Sequence, residues 1–141
     1  MLRSNAATHP RKIAIYYYDE SFTYAQIKEK TDHIAAALQQ HGVGKGHRVC
    51  AVLPNSPEYI FAFFAVQKLC AVWAAQSTYL KARELIQNIN DCSADFLISA
   101  EASAPVINKV KGAISSVKKY FAFEQNSFGA VNLYEDYIES G

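Results

Sequence analysis

Charge is scarce in this sequence, and neither sign prevails: 19% of residues are charged, fourteen basic against thirteen acidic, for a net charge of +1. That balance leaves no clustered basic surface for a nucleic acid. With half the residues hydrophobic and no low-complexity run, it also argues against disorder. Cysteine is sparse. Cys50, Cys70 and Cys92 are odd in number, widely spaced and without a nearby histidine, which fits neither a disulfide framework nor a zinc site. Reduced thiols in the cytoplasm are the expectation. Long apolar runs are missing too. After the first strand–helix unit the longest uncharged stretch is residues 69–80, which contains Gln76, Ser77 and Thr78 and falls short of the roughly 20 residues of a membrane span. No apolar run follows Arg3, so the start does not read as a signal peptide.

What is present is alternation. Residues 13–18 are β-branched and aromatic, and the turn-like Asp19-Glu20-Ser21 follows, as in a strand and a reversal. Thr23 and Gln26 have capping-box spacing. Ile27, Thr31, Ile34, Ala35 and Leu38 then share one face of a helix reaching about His41, where Gly42 supplies a left-handed stop. Residues 49–53 form a short, wholly apolar strand of the kind buried in a parallel sheet. Ser56 and Pro57 open a helix that is apolar on nearly all sides, so it is expected to be covered on several of them, with Phe64 buried. Further strands are expected at 71–75, 96–98 and 120–123. Further helices are expected at 81–91, around Val106, Ile107, Val110 and Ile114, and at 133–138. Strand, helix and short connection in repetition predict an α/β fold, a mainly parallel sheet with helices packed on it.

Taken in order, these segments resemble the beginning of the AMP-binding family, which includes acyl-CoA and aryl-CoA synthetases, peptide-synthetase adenylation domains and luciferases. The resemblance starts at His9-Pro10-Arg11-Lys12-Ile13 and continues through Phe22-Thr23-Tyr24-Ala25-Gln26-Ile27. It then takes in Gly42-Val43-Gly44-Lys45-Gly46-His47-Arg48, Leu53-Pro54-Asn55-Ser56-Pro57-Glu58, Ala82-Arg83-Glu84-Leu85 and Asp91-Cys92-Ser93-Ala94-Asp95-Phe96. Each motif is largely structural punctuation; their shared order over residues 10–99 carries the resemblance. His47, Cys70, Ala75 and Ser77 depart from the Asp, Gly, Pro and Asn usual in the family. The resemblance implies part of the large amino-terminal domain of a synthetase that joins a carboxylic acid to CoA through an acyl-adenylate, using ATP and Mg²⁺. It also implies a phosphate loop, a ribose-binding acid, a Mg²⁺ carboxylate and a catalytic lysine, none of which has a counterpart in residues 1–141. The whole chain is therefore read as an incomplete portion of one domain, with no catalytic, cofactor-binding or metal-binding residue of its own. ATP, Mg²⁺ and CoA belong to the parent enzyme, and the remainder of that enzyme is the expected partner. Left alone, the piece is expected to form a homodimer or oligomer. The rival readings are an adenylation domain loading an amino or aryl acid onto a carrier protein, and a non-catalytic packing or binding domain.

Several patterns invite a sharper role. Gly42-Val43-Gly44-Lys45-Gly46 follows a helix and precedes a strand, the reverse of a phosphate loop, and reads as a helix stop and turn. His33, His41 and His47 have no ligand at metal spacing and read as solvated surface residues. Tyr16, Tyr17, Tyr18 and Phe22 lack the interleaved basic residues of a base-stacking platform and read as hairpin packing. Tyr59, Phe61, Phe63, Phe64 and Trp73 could line an acyl pocket, but read first as core.

Overall fold

The computed structural model describes residues 13–17 and 20–134. Its first two strands, β1 (Ile13–Tyr17) and β2 (Glu20–Thr23), form a separate antiparallel hairpin. The facing of the Tyr16–Tyr18 side chains lies outside the described residues. Helix α1 (Tyr24–Gln40) starts as its sequence predicts. Thr23 Oγ1 accepts the Gln26 N–H at 3.2 Å, and Gln26 Oε1 accepts the Thr23 N–H at 2.8 Å, so two otherwise unpaired donors are satisfied reciprocally. Ile27, Thr31, Ile34, Ala35 and Leu38 are all buried on its inner face.

The remaining strands form one five-stranded, wholly parallel sheet in the order β4-β3-β5-β6-β7. In chain order the elements are β3 (Arg48–Val52), α2 (Pro57–Lys68), β4 (Val72–Ala75), α3 (Ala82–Cys92), β5 (Phe96–Ser99), α4 (Ala104–Ala113), β6 (Lys119–Ala122) and β7 (Val131–Asn132). A single 3₁₀ turn, Glu101–Ser103, precedes α4. The α/β architecture expected from alternation is present. Two-residue β7 was not foreseen, being too short to show any periodicity. Of the helix expected at 133–138, Leu133 and Tyr134 are helical, and the rest lies outside the described residues.

Side-chain alternation along the strands divides the interior into two cores. Val49, Ala51, Phe96 and Ile98 meet α1 and α2 on one face; Cys50, Val52 and Leu97 meet α3 and α4 on the other. From β3 the chain moves through α2 to one side of the sheet. From β5 it moves through α4 to the other side. The strand order therefore reverses between β3 and β5, and a crevice opens there beyond their carboxyl ends.

Helix α2 corrects one expectation. Phe64 is only half-buried, whereas Phe61 is fully enclosed with Ala62, Ala65 and Val66. A helix apolar all round does not reveal from sequence which ring faces inward, and here the inner ring meets Phe22 edge to face at 5.4 Å.

Three helices end in the same way. After α1 the Val43 N–H reaches the Leu38 carbonyl, after α2 the Ala71 N–H reaches that of Val66, and after α3 the Ala94 N–H reaches that of Ile89. In each case a left-handed residue makes the reversal: Gly42 at φ 102°, Cys70 at 58° and Ser93 at 52°.

Candidate functional site

The crevice at the strand-order reversal is a cavity of about 210 Å³. Leu53 and Pro54 follow β3 into it, Ser99 and Ala100 come from the end of β5, and Phe123 and Glu124 follow β6; Ser56 and Glu58 enter from the start of α2. Each pair sits where an apolar strand gives way to a turn, so the sheet itself gathers them. The sequence reading offered Trp73 and the α2 aromatics as possible pocket residues and missed this set. The signal was the position of 53–54, 99–100 and 123–124 just past three buried strands.

Each polar side chain of the crevice already has a hydrogen-bond partner within the chain. Ser56 Oγ accepts the Tyr59 N–H at 3.4 Å and donates to the Pro54 carbonyl at 3.1 Å. Ser99 Oγ, fully buried, donates to the Val52 carbonyl at 3.2 Å. Glu58 Oε1 accepts from the Tyr134 hydroxyl at 3.1 Å, and Glu124 Oε1 accepts the Glu101 N–H at 2.6 Å. Just outside, the Glu101 carboxylate takes both the hydroxyl and the N–H of Ser127, at 2.6 and 2.7 Å. Those two bonds, the hydroxyl's first, hold its pKa below the ordinary value.

ATP, Mg²⁺ and CoA can be tested against this lining. A triphosphate needs convergent N–H donors and a cation, yet among the described residues no Lys, Arg or His lines the crevice. The α2 N-terminus, where a phosphate is ordinarily favoured, is used up: Ser56 caps it, Pro57 has no N–H, and Glu58 adds negative charge in the first turn. The described lining does not fit a nucleotide. Among the described residues no group of three or more His, Cys, Asp or Glu is placed to hold a metal ion.

The other singled-out residues fall elsewhere. The Gly42–Gly46 segment is the expected helix stop and turn, with the Gly46 N–H on the Cys70 carbonyl at 3.1 Å. His33, His41 and His47 are half-buried and engaged rather than solvated. His47 Nδ1 accepts the Gly44 N–H at 2.9 Å while its ring stands edge-on to Phe96 at 5.3 Å. His41 lies against Phe121 at 5.8 Å, with its Nδ1 3.1 Å from Lys119 Nζ. Trp73 packs edge to face with Tyr59 and with Phe63, each at 5.5 Å, and lines core rather than crevice. The cysteines form no disulfide. No described helix is long and apolar enough to cross a membrane.

Comparison with known proteins gives a consistent set of relatives. The profile of the family described as AMP-binding enzyme matches residues 2–137. A long-chain-fatty-acid–CoA ligase from Bacillus subtilis is 29% identical over 133 residues, 89% of this chain and 24% of that protein. A long-chain-fatty-acid–CoA ligase from Mycobacterium tuberculosis is 34% identical over 113 residues, 79% of this chain and 22% of that protein. The chain thus spans about a quarter of the length of the curated relatives it matches. Among solved structures, an anthranilate CoA ligase in complex with anthranoyl-AMP shares the fold, with a TM-score of 0.90 at 24% identity over 98% of this chain and 27% of that one. The inhibitor-bound N-terminal domain of FACL13 from Mycobacterium tuberculosis superposes with a TM-score of 0.85 at 30% identity, over 97% of this chain and 34% of that one.

Proposed function

The chain belongs to the AMP-binding enzyme family, and from that premise we propose that it forms the opening part of the large domain of an ATP-dependent acyl-CoA synthetase. The complete enzyme would join a carboxylic acid to CoA through an acyl-adenylate, releasing pyrophosphate and then AMP. The observation that carries this reading is the match, over most of the chain, to fatty-acid–CoA ligases.

The role proposed for residues 1–141 is scaffolding. Their crevice, lined by the carboxylates of Glu58 and Glu124, would repel a triphosphate, and ATP, Mg²⁺ and CoA are proposed to be held by residues outside this sequence. The parallel sheet and its two cores give the rest of the synthetase a rigid body to close upon. Three unpaired thiols support a cytoplasmic setting. As an isolated polypeptide, the chain is proposed to self-associate.

Carboxylate-dependent exchange of pyrophosphate into ATP tests the reading. The 141-residue chain is expected to stay at background with fatty, aryl and amino acids alike. The product of the reading frame continued past Gly141 is expected to release AMP with a fatty acid, ATP, Mg²⁺ and CoA. Exchange by the short chain, or a long product inactive with every acid, would overturn it.

A further inference from the structure

Among the described residues, strand β4 ends the five-stranded sheet on one side. The Val72 N–H meets the His47 carbonyl at 2.7 Å and the Gln76 N–H meets that of Ala51 at 2.8 Å. Residues 72, 74 and 76 therefore turn their backbone groups toward β3, and by alternation Trp73 and Ala75 turn theirs outward. The stretch of which β4 is part, residues 69–80, contains no charged residue. An edge of this kind ordinarily carries Lys, Pro or a bulge against pairing, and this one carries none. Both large hydrophobic residues that stand exposed among those described are here: Val72 at 50% and Tyr79 at 95%.

We propose that the outer edge of β4 is a self-association seam that joins two copies of the chain in antiparallel pairing about a two-fold axis through Ala74. This rests on the self-association proposed above and gives it a location. In that register Trp73 faces Ala75 of the other copy, and each such pair exchanges both backbone hydrogen bonds. A large ring meets a small side chain, and Trp73 is already held on its own side by Tyr59 and Phe63. A second copy suits the edge because an uncharged strand does not repel itself, and the net charge of +1 adds little repulsion. The contact uses the same patch on both copies, so it closes as a dimer.

Sedimentation velocity of the 141-residue chain, from micromolar to hundreds of micromolar, tests this against two variants. Ala75→Pro removes an outward N–H and leaves the bonds to β3 untouched; Ala75→Lys places like charges beside the axis. The parent is expected to dimerise with concentration. Each variant is expected to weaken association roughly tenfold to a hundredfold, with its melting temperature held near the parent's. Trp73 is the sole tryptophan, so its emission should shift to the blue as the parent dimerises and stay fixed in the variants. A parent that remains monomeric throughout defeats self-association itself. A parent that dimerises together with equally associating variants defeats the β4 seam alone, and so does open-ended aggregation indifferent to Ala75→Lys.

Discussion

Replacing Cys70 by glycine is expected to stabilise the protein. Cys70 closes α2 in the left-handed region at φ 58°, where the Cβ of an L-residue crowds its own backbone. That conformation costs about 1–2 kcal/mol for a residue bearing a Cβ. Glycine removes the cost but returns roughly 0.5–1 kcal/mol through its greater freedom in the unfolded chain. The net gain is about 0.5–1 kcal/mol, or a rise in melting temperature of roughly 2–4 °C for a domain of this size. The thiol is exposed and the reversal is closed by backbone groups, the Ala71 N–H on Val66 and the Cys70 N–H on Gln67, so those bonds survive the substitution. Denaturant titration of Cys70→Gly, Cys70→Ala and the parent separates the causes. Alanine keeps the Cβ and should match the parent. The reciprocal change Gly42→Ala, at φ 102° with only Phe96 Cζ near at 4.0 Å, should cost about 1–2 kcal/mol from backbone strain. If Cys70→Ala gained as much as Cys70→Gly, the effect would belong to the thiol, and the backbone argument would fail.

Three other outcomes are expected. Phe61→Ala should destabilise by about 3–5 kcal/mol and Phe64→Ala by clearly less, since only Phe61 is enclosed; equal shifts of the denaturation midpoint would contradict the assigned face. Burial, with Cys92 adding to it, pushes the Cys50 thiol up to about 12, so at pH 8 a thiol reagent should modify Cys70 promptly and Cys50 only as the protein unfolds. Burial works to raise the Asp32 pKa, but hydrogen bonds and charge from Lys28 and Lys68 prevail and hold it below its ordinary 3.8. The stability it contributes is therefore fully present above its ordinary value and lost as pH falls through the lowered one, so Asp32→Asn should flatten the acid limb of the stability profile below about pH 4.

Local signals in the sequence were dependable where the chemistry itself is local. The Thr23–Gln26 box, Ser56-Pro57 and Gly42 each act within a few residues, and each does in the structure what its residue type requires. The wholly apolar 49–53 segment likewise gave an interior strand. Legibility failed where a partner comes from elsewhere in the chain. Nothing near His47 announces that its ring will lie on Phe96 and lock the Gly44 turn. Nothing in α2 distinguishes Phe61 from Phe64 until α1 and β2 are in place. The crevice escaped notice for the same reason. Residues 53–58, 99–100 and 123–124 are far apart in the chain and meet only once the sheet order is known, and that order does not follow from element alternation. Cys70 and Ser93 show a further gap, since neither residue type signals a left-handed stop as Gly42 does.

The position of β3 sets a clock for the whole molecule. It is bonded along both edges, to β4 and β5, and its side chains enter both cores in turn. No partial opening of one helical layer exposes its amide protons, because the other layer and both neighbouring strands stay in place. Its amides should therefore trade their hydrogens for deuterium only through complete unfolding, at rates that report the global free energy. The outward amides of Trp73 and Ala75, which point away from β3, should trade at once in a lone copy. The span between those extremes would measure how far this chain behaves as a cooperative unit.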